Sequence, residues 1–145
     1  MATKVSAVLE QKGHKVVTVG PSDTVASLVK VLSTNRIGAV PVVDEGERLV
    51  GIISERDVVN GMAQHGDVVM TLPVERLMTT MVRTCSPEDL IVELMEIMTL
   101  QRIRHLPVVR EGALEGIVSI GDVVKQRLQE AQFELEELRR YICSS

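Results

Sequence analysis

Aromatic side chains are almost missing from this chain: one Phe, one Tyr and no Trp in 145 residues leave nucleic-acid bases little to stack on. Runs of Lys or Arg are missing too, and a formal net charge of -4 offers little attraction to a phosphate backbone. Nucleic acid is therefore not expected as a partner. No stretch of about 18 apolar residues occurs, as a membrane span needs. The first residues, MATKVSAVLEQKGHK, hold no apolar core of signal-peptide length. A soluble, cytoplasmic protein with no membrane partner is the expectation. Cys85 and Cys143 show neither metal spacing nor a disulfide framework, which suits a reducing compartment. Cys143 could join two chains, but an inert thiol is the simpler reading. The three histidines, His14, His65 and His105, are scattered without metal spacing, so no metal site is expected. None of them stands within the motifs that hold Ser54 and Ser119, so no catalytic residue and no catalytic cofactor is expected either.

What the chain does have is a repeat. With 45% hydrophobic and 25% charged residues it can bury one core of moderate size, or build two small lobes that share one. Pairing Pro21 with Pro87, and leaving Arg48 unmatched, makes nearly half the aligned positions identical through Val59 and Val124. Arg36-Ile37 matches Arg102-Ile103, and Pro-Val-Val occurs at 41–43 and 107–109. GIISERD at 51–57 returns as GIVSIGD at 116–122. Two copies, each longer than a solenoid repeat, imply a closed pair related by an approximate two-fold axis.

Each copy reads as strand, helix, strand, strand, helix, a mixed α/β (α+β) class. The first strands fall at Val16 to Val19 and around Val82 to Cys85. Pro21 and Pro87 then stand where a first helical residue would, with Asp23 and Asp89 in the first turn. The helix stripes are Val25, Leu28, Val29, Leu32 and Ile91, Leu94, Met95, Met98. Two hairpins follow, from Ile37 to Ser54 and from Ile103 to Ser119, each with a Gly in its turn. Before each copy lies a short apolar segment, Val5-Val8-Leu9 and Val74-Leu77-Met78, expected as a half-buried lead-in helix. Gly66 to Pro73 is the expected connector.

The repeated Gly, Ser and Asp admit two compatible readings. Ser54 can cap a helix, with Asp57 completing a capping-box-like arrangement and Gly51 easing strand packing. The same Ser hydroxyl and the free amides of the helix start can also hold an anion. Asp57 repels a phosphate but accepts hydrogen bonds from a neutral diol such as a ribose. Gly51 would then let a ligand approach the backbone, with Ile37 to Pro41 lining an apolar slot for a base. Arg36 and Arg102, at a helix-to-strand junction, are read as structural.

A duplicated unit with R-I-x-x-h-P-V-V in its middle and G-h-h-S-x-x-D at its end, where h is apolar, resembles a tandem pair of cystathionine-beta-synthase (CBS) domains, a Bateman module. The resemblance spans about Val5 to Leu128, with repeats at 5–65 and 74–128 and a helical extension at 129–145. It implies a three-stranded sheet with two helices per repeat and a cleft for up to two adenosine-containing ligands. AMP, ADP, ATP, NAD(H) and S-adenosylmethionine are the implied candidates, with a sensing role that reports to a partner protein. Carried over residue by residue, it places Asp57 and Asp122 on ribose hydroxyls and Ser54 and Ser119 near phosphates. Thr18 and Thr84 would line the adenine slots, and Ala39, Val40, Pro41, His105, Leu106 and Pro107 would form apolar walls. Arg56 in the first copy and Arg104 in the second are the candidate phosphate contacts, because Arg forks match phosphate oxygens. The copies draw positive charge from different places, so unequal sites are expected.

The tail extends the last helix. Val124, Leu128, Ala131, Leu135, Leu138 and Ile142 alternate spacings of four and three, the seam of a coiled coil, among Glu134, Glu136, Glu137, Arg139 and Arg140. One reading folds this helix back over its own domain. The other, favoured because CBS pairs usually assemble as homodimers, has it join two chains through contacts that include Phe133 and Tyr141.

Overall fold

A computed structural model describes residues 2–143. The chain forms two compact units, and neither is contiguous in sequence. One, called here the first-repeat unit, comprises Lys15–Thr84 and Val109–Glu115. The other, the second-repeat unit, comprises the residues up to His14, Cys85–Val108 and the chain from Gly116 onward.

In the first-repeat unit, helix α2 (Val25–Asn35) starts at Thr24, whose Oγ1 accepts a hydrogen bond from the Ser27 amide at 3.1 Å. The helix thus begins later than the position of Pro21 suggests. The reason is Asp23, whose carboxylate accepts from the Gly20 amide at 2.8 Å and closes a separate turn ahead of the helix. The second copy repeats the device: Asp89 accepts from the Ser86 amide at 2.8 Å, and α4 begins at Ile91. Arg36 (φ 54°) and Arg102 (φ 55°) end their helices in the left-handed region that glycine usually occupies. There the Arg36 and Ile37 amides return to the carbonyls of Ser33 and Leu32 at 3.3 and 3.1 Å.

Strands β1 (Ala39–Val43) and β2 (Leu49–Ser54) pair antiparallel, and the register slips between Val42 and Val43. The expected strand at Val16 to Val19 is reduced to a single parallel bridge from Val19 to Val42. Gly20 is already committed to the Asp23 turn, and Pro21 has no amide to donate, so pairing cannot propagate. Cys85 likewise makes one bridge, to Val108. Helix α3 (Glu55–His65) follows β2 directly.

Gly66–Thr71 is a 3-10 helix with Val69 1% exposed in the core, so the expected connector is packed structure. Val74–Arg76 is a 3-10 turn where a lead-in helix was expected. Val74 is fully buried beside Val25, Leu28, Val40, Val42 and Ile53, the core of the first-repeat unit. Backbone bonds fix this packing: Val25 N donates to Leu72 O at 2.9 Å and Val74 N to Asp23 O at 2.7 Å. The free amide at the start of α2 thereby finds its acceptor.

The second-repeat unit mirrors this with α1 (Val5–Lys12). Val5, Val8 and Leu9 are buried against Ile91, Leu94, Leu106, Val108 and Val118. Val5 N donates to Asp89 O at 2.8 Å and Ile91 N to Thr3 O at 2.9 Å. Each lead-in segment therefore serves the core of the other copy, and the packing units cut across the chain-order division 5–65 and 74–128. Fully burying a Val or Leu is worth about 1.5–3 kcal/mol, so three such residues are a large share of a small core.

After α4 (Ile91–Gln101), β3 (His105–Arg110) and β4 (Ala113–Ser119) form a second two-stranded sheet. Helix α5 (Ile120–Cys143) is continuous over 24 residues. Val123 and Glu130 are buried, with Glu130 accepting from Thr3 Oγ1 at 2.6 Å and from Arg127 at 2.6 Å. From Ala131 to Cys143 every residue is exposed, so this part does not fold back over its own unit. The expected seam lies open, with Leu128 61% and Leu138 55% exposed.

Candidate functional site

The two Ser–Asp pairs sit at strand-to-helix junctions, each within its own unit. At the first, Ser54 caps α3 and shares a full capping box with Asp57. The Asp57 amide donates to Ser54 Oγ at 3.3 Å, while the Ser54 amide and hydroxyl reach Asp57 Oδ2 at 2.9 and 3.1 Å. Glu55 N donates to Gly38 O at 2.9 Å, tying the helix start to the head of β1. Ala39 lies opposite Ser54 in the register. Asp57 forms no salt bridge among the described residues, and Arg56, exposed on the first turn, forms none either. Among the described residues its guanidinium is uncommitted.

At the second junction Ser119 N reaches Asp122 Oδ2 at 2.9 Å, and the Asp122 amide returns to Ser119 Oγ at 3.2 Å. Ile120 N donates to Arg104 O at 2.8 Å, placing Arg104 and His105 beside the helix start. Asp122 differs from Asp57 in having a cation: Lys12, at the end of α1, reaches its Oδ2 at 2.6 Å and also donates to Ile117 O at 2.9 Å. Burial pushes the Asp122 carboxyl up, but the Lys12 and Ser119 hydrogen bonds outweigh it, and the group is held below its ordinary value. His105 moves down, through burial first and then the nearby Lys12 ammonium, with Asp122 opposing.

Lys12 is the residue that sequence reasoning missed. It stands 110 positions from Asp122 and looks like an ordinary cation in the last turn of a helix. Only the docking of α1 in the second-repeat unit brings it to the motif.

Other candidates are placed less simply. Val40 and Leu106 are fully buried inside the two cores, so their side chains do not line an open slot. Ala39 and Pro41, and His105 and Pro107, take the opposite face by strand alternation, where Ala39, Pro41 and Pro107 are buried too and His105 is half-buried. Thr18 and Thr84 are exposed, each just before a bridging residue. Gly51 and Gly116 serve packing. A Cβ on Gly51 would lie 2.9 Å from Thr79 O and 2.7 Å from Met78 Sδ, and one on Gly116 would lie 2.7 Å from Leu9 Cδ2. The space that a ligand was expected to use at Gly51 is filled by the chain itself.

The CBS domain model matches residues 9–64 and 74–129, the two copies that carry these junctions. The chain belongs to the CBS-domain family. A CBS-domain containing protein of Agrobacterium tumefaciens is 44% identical, and its crystal structure superposes with a TM-score of 0.82 over 88% of this chain and 95% of that one. The CBS domain-containing protein CBSX3, mitochondrial, of Arabidopsis thaliana is 36% identical over 149 residues, 97% of this chain and 72% of the relative. The crystal structure of CBSX2 in complex with AMP, 25% identical, has a TM-score of 0.76 over 88% of this chain and 98% of that one. Within this CBS pair the described residues offer no cluster of three or more His, Cys, Asp or Glu that could hold a metal. Cys85 is buried, and burial first and the neighbouring Asp89 carboxylate second push its thiol up to about 12, so it is no nucleophile.

Proposed function

We propose that this CBS pair is an adenosine-nucleotide-binding regulatory module, for a ligand of the AMP, ADP, ATP or NAD(H) class, that reports its ligand state to a partner protein. The observation that carries this reading is the pair of Ser–Asp helix starts, one in each unit, in a chain whose structural relative CBSX2 is solved with AMP. Asp57 and Asp122 take the ribose hydroxyls, and Ser54 and Ser119 lie near the phosphates. Arg56 in the first site and Arg104 in the second contact them. The chain alone performs no catalysis and works in the cytoplasm. A ligand transmits a signal only by binding one arrangement more tightly than another. Calorimetry against AMP, ADP, ATP, NAD, NADH and S-adenosylmethionine tests the reading: saturable heat with at least one supports it, and none with any refutes it.

One observation favours a second reading. The exposed seam of α5, Val124, Leu128, Leu135, Leu138 and Ile142, suits a dimerising adaptor with vestigial clefts that recruits a partner through this helix. Light scattering separates the two: on the adaptor reading, Leu128→Glu with Leu138→Glu turns a dimer into a monomer and abolishes partner capture without any nucleotide dependence.

A further inference from the structure

The second junction lacks the motif cation of the first, since Gly121 stands where Arg56 stands in its copy. In its place the structure brings Lys12 onto Asp122 from another part of the chain. Oδ2 of that carboxylate takes both the Ser119 amide and the Lys12 ammonium, while Oδ1 accepts no hydrogen bond among the described residues. When a ribose diol binds with one hydroxyl on each carboxylate oxygen, Lys12 holds the Oδ2 position that the second hydroxyl would take. The groove alongside is lined by Gln11, Lys12, Asp122, Lys125, Gln126 and Gln129. Two lysines and three glutamines share this lining with the one carboxylate, Gln126 donating to Thr3 Oγ1, and the excess of positive charge suits an anion.

We propose that Lys12 is a specificity-determining residue of the second site: it holds Asp122 as an internal counter-ion, and a ribose that takes over the carboxylate releases its ammonium to the phosphate of the same ligand. This rests on the nucleotide-binding reading above. The exchange is easy because the ion pair is partly exposed, with Lys12 at 33% and Asp122 at 23% side-chain accessibility, and such pairs hold weakly. Lysine suits the task, because its ammonium is a point charge on a flexible four-carbon stem that can turn from one partner to another. A ligand without phosphate must break the pair and gains nothing in return. A ligand with phosphate recovers the cation. The second site therefore selects for phosphate with a residue that lies outside its own motif.

Amine labelling of the intact protein, read at Lys12 by mass spectrometry, tests this directly. Saturating adenosine should raise Lys12 reactivity about threefold and saturating AMP should lower it below that of the protein alone. Calorimetry gives the second measure. Lys12→Met should tighten adenosine binding about threefold and reduce the preference for AMP over adenosine about tenfold, while Lys12→Arg keeps most of that preference. Unchanged Lys12 reactivity with both ligands, or an unchanged AMP preference in Lys12→Met, overturns the proposal while leaving nucleotide binding intact. If the wild-type protein gives no saturable heat with any adenosine compound, the functional reading itself has failed and this one falls with it.

Discussion

Replacing Gly51 with alanine tests what the motif glycine is for. The new Cβ would sit 2.9 Å from the backbone oxygen of Thr79 and 2.7 Å from Met78 Sδ, inside the distances that real methyl groups keep. The sulfur can swing aside, but Thr79 cannot move freely. It is bound to Ile52 by two backbone hydrogen bonds of 3.0 and 2.9 Å, next to Gly51 itself. Making room costs one or both of those bonds, at about 0.5–1.5 kcal/mol each. Residual crowding in a packed interior adds to this, so the total is about 2–3 kcal/mol. For a chain of this size, 1 kcal/mol lowers Tm by about 2–4 °C, so Gly51→Ala should melt roughly 5–10 °C below wild type. Gly116→Ala is the internal control. Its Cβ meets the tip of the Leu9 side chain, which can change rotamer, and its cost should be about 1 kcal/mol. Urea unfolding followed by circular dichroism reads both. If Gly51→Ala unfolds within about 0.5 kcal/mol of wild type, the packing argument is wrong and the glycine is kept for a ligand.

Three further outcomes follow from the geometry. A thiol reagent at pH 8 should titrate Cys143 at once and Cys85 only after denaturant is added, since Cys85 is buried with its thiol near 12. Asp122 is held below its ordinary 3.8, so the Lys12 pair contributes stability that is full above that pH and disappears as pH falls through the lower folded value. The gap between wild type and Lys12→Met in urea unfolding, about 1 kcal/mol or less at pH 7, should narrow as pH falls below 3.8 and the folded carboxylate takes up its proton, and a gap that does not narrow in acid refutes the assignment. Thr24→Ala should cost about 1 kcal/mol in a thermal melt by removing the cap of α2. Leu90 at the matching position of α4 makes no side-chain cap, so Leu90→Ala should show no capping loss.

The repeat, the helix stripes, the hairpins and the Ser–Asp boxes were legible because each is written in neighbouring residues. Leu28 and Leu94 lie on their stripes and are fully buried, as the 3.6-residue period requires. Errors arose where a local signal had two uses. Pro21 and Asp23 suit a helix start and also a turn, and the sequence does not say that the Gly20 amide will choose Asp23. The strand at Val16 to Val19 has the right composition but loses its ladder to that turn. The site was half legible for a different reason. Asp122 and Ser119 stand together in the motif, whereas Lys12 joins them only through long-range packing that no short window contains. Val40 and Leu106 carried no mark telling core-facing from slot-facing positions, because alternation fixes two faces without naming them.

The assignment of α1 to the second-repeat unit has a consequence for how the chain is made. Val5, Val8 and Leu9 are synthesised well before Leu106, Val108 and Val118, which help bury them. At about 5–20 residues per second, those three side chains stay wet for on the order of ten seconds during synthesis. Until those later residues emerge, α1 presents an uncovered apolar face that a chaperone holding apolar segments would bind. Damage to α1 would spare the core that holds Leu28 and Val40 and would unseat the second-repeat unit.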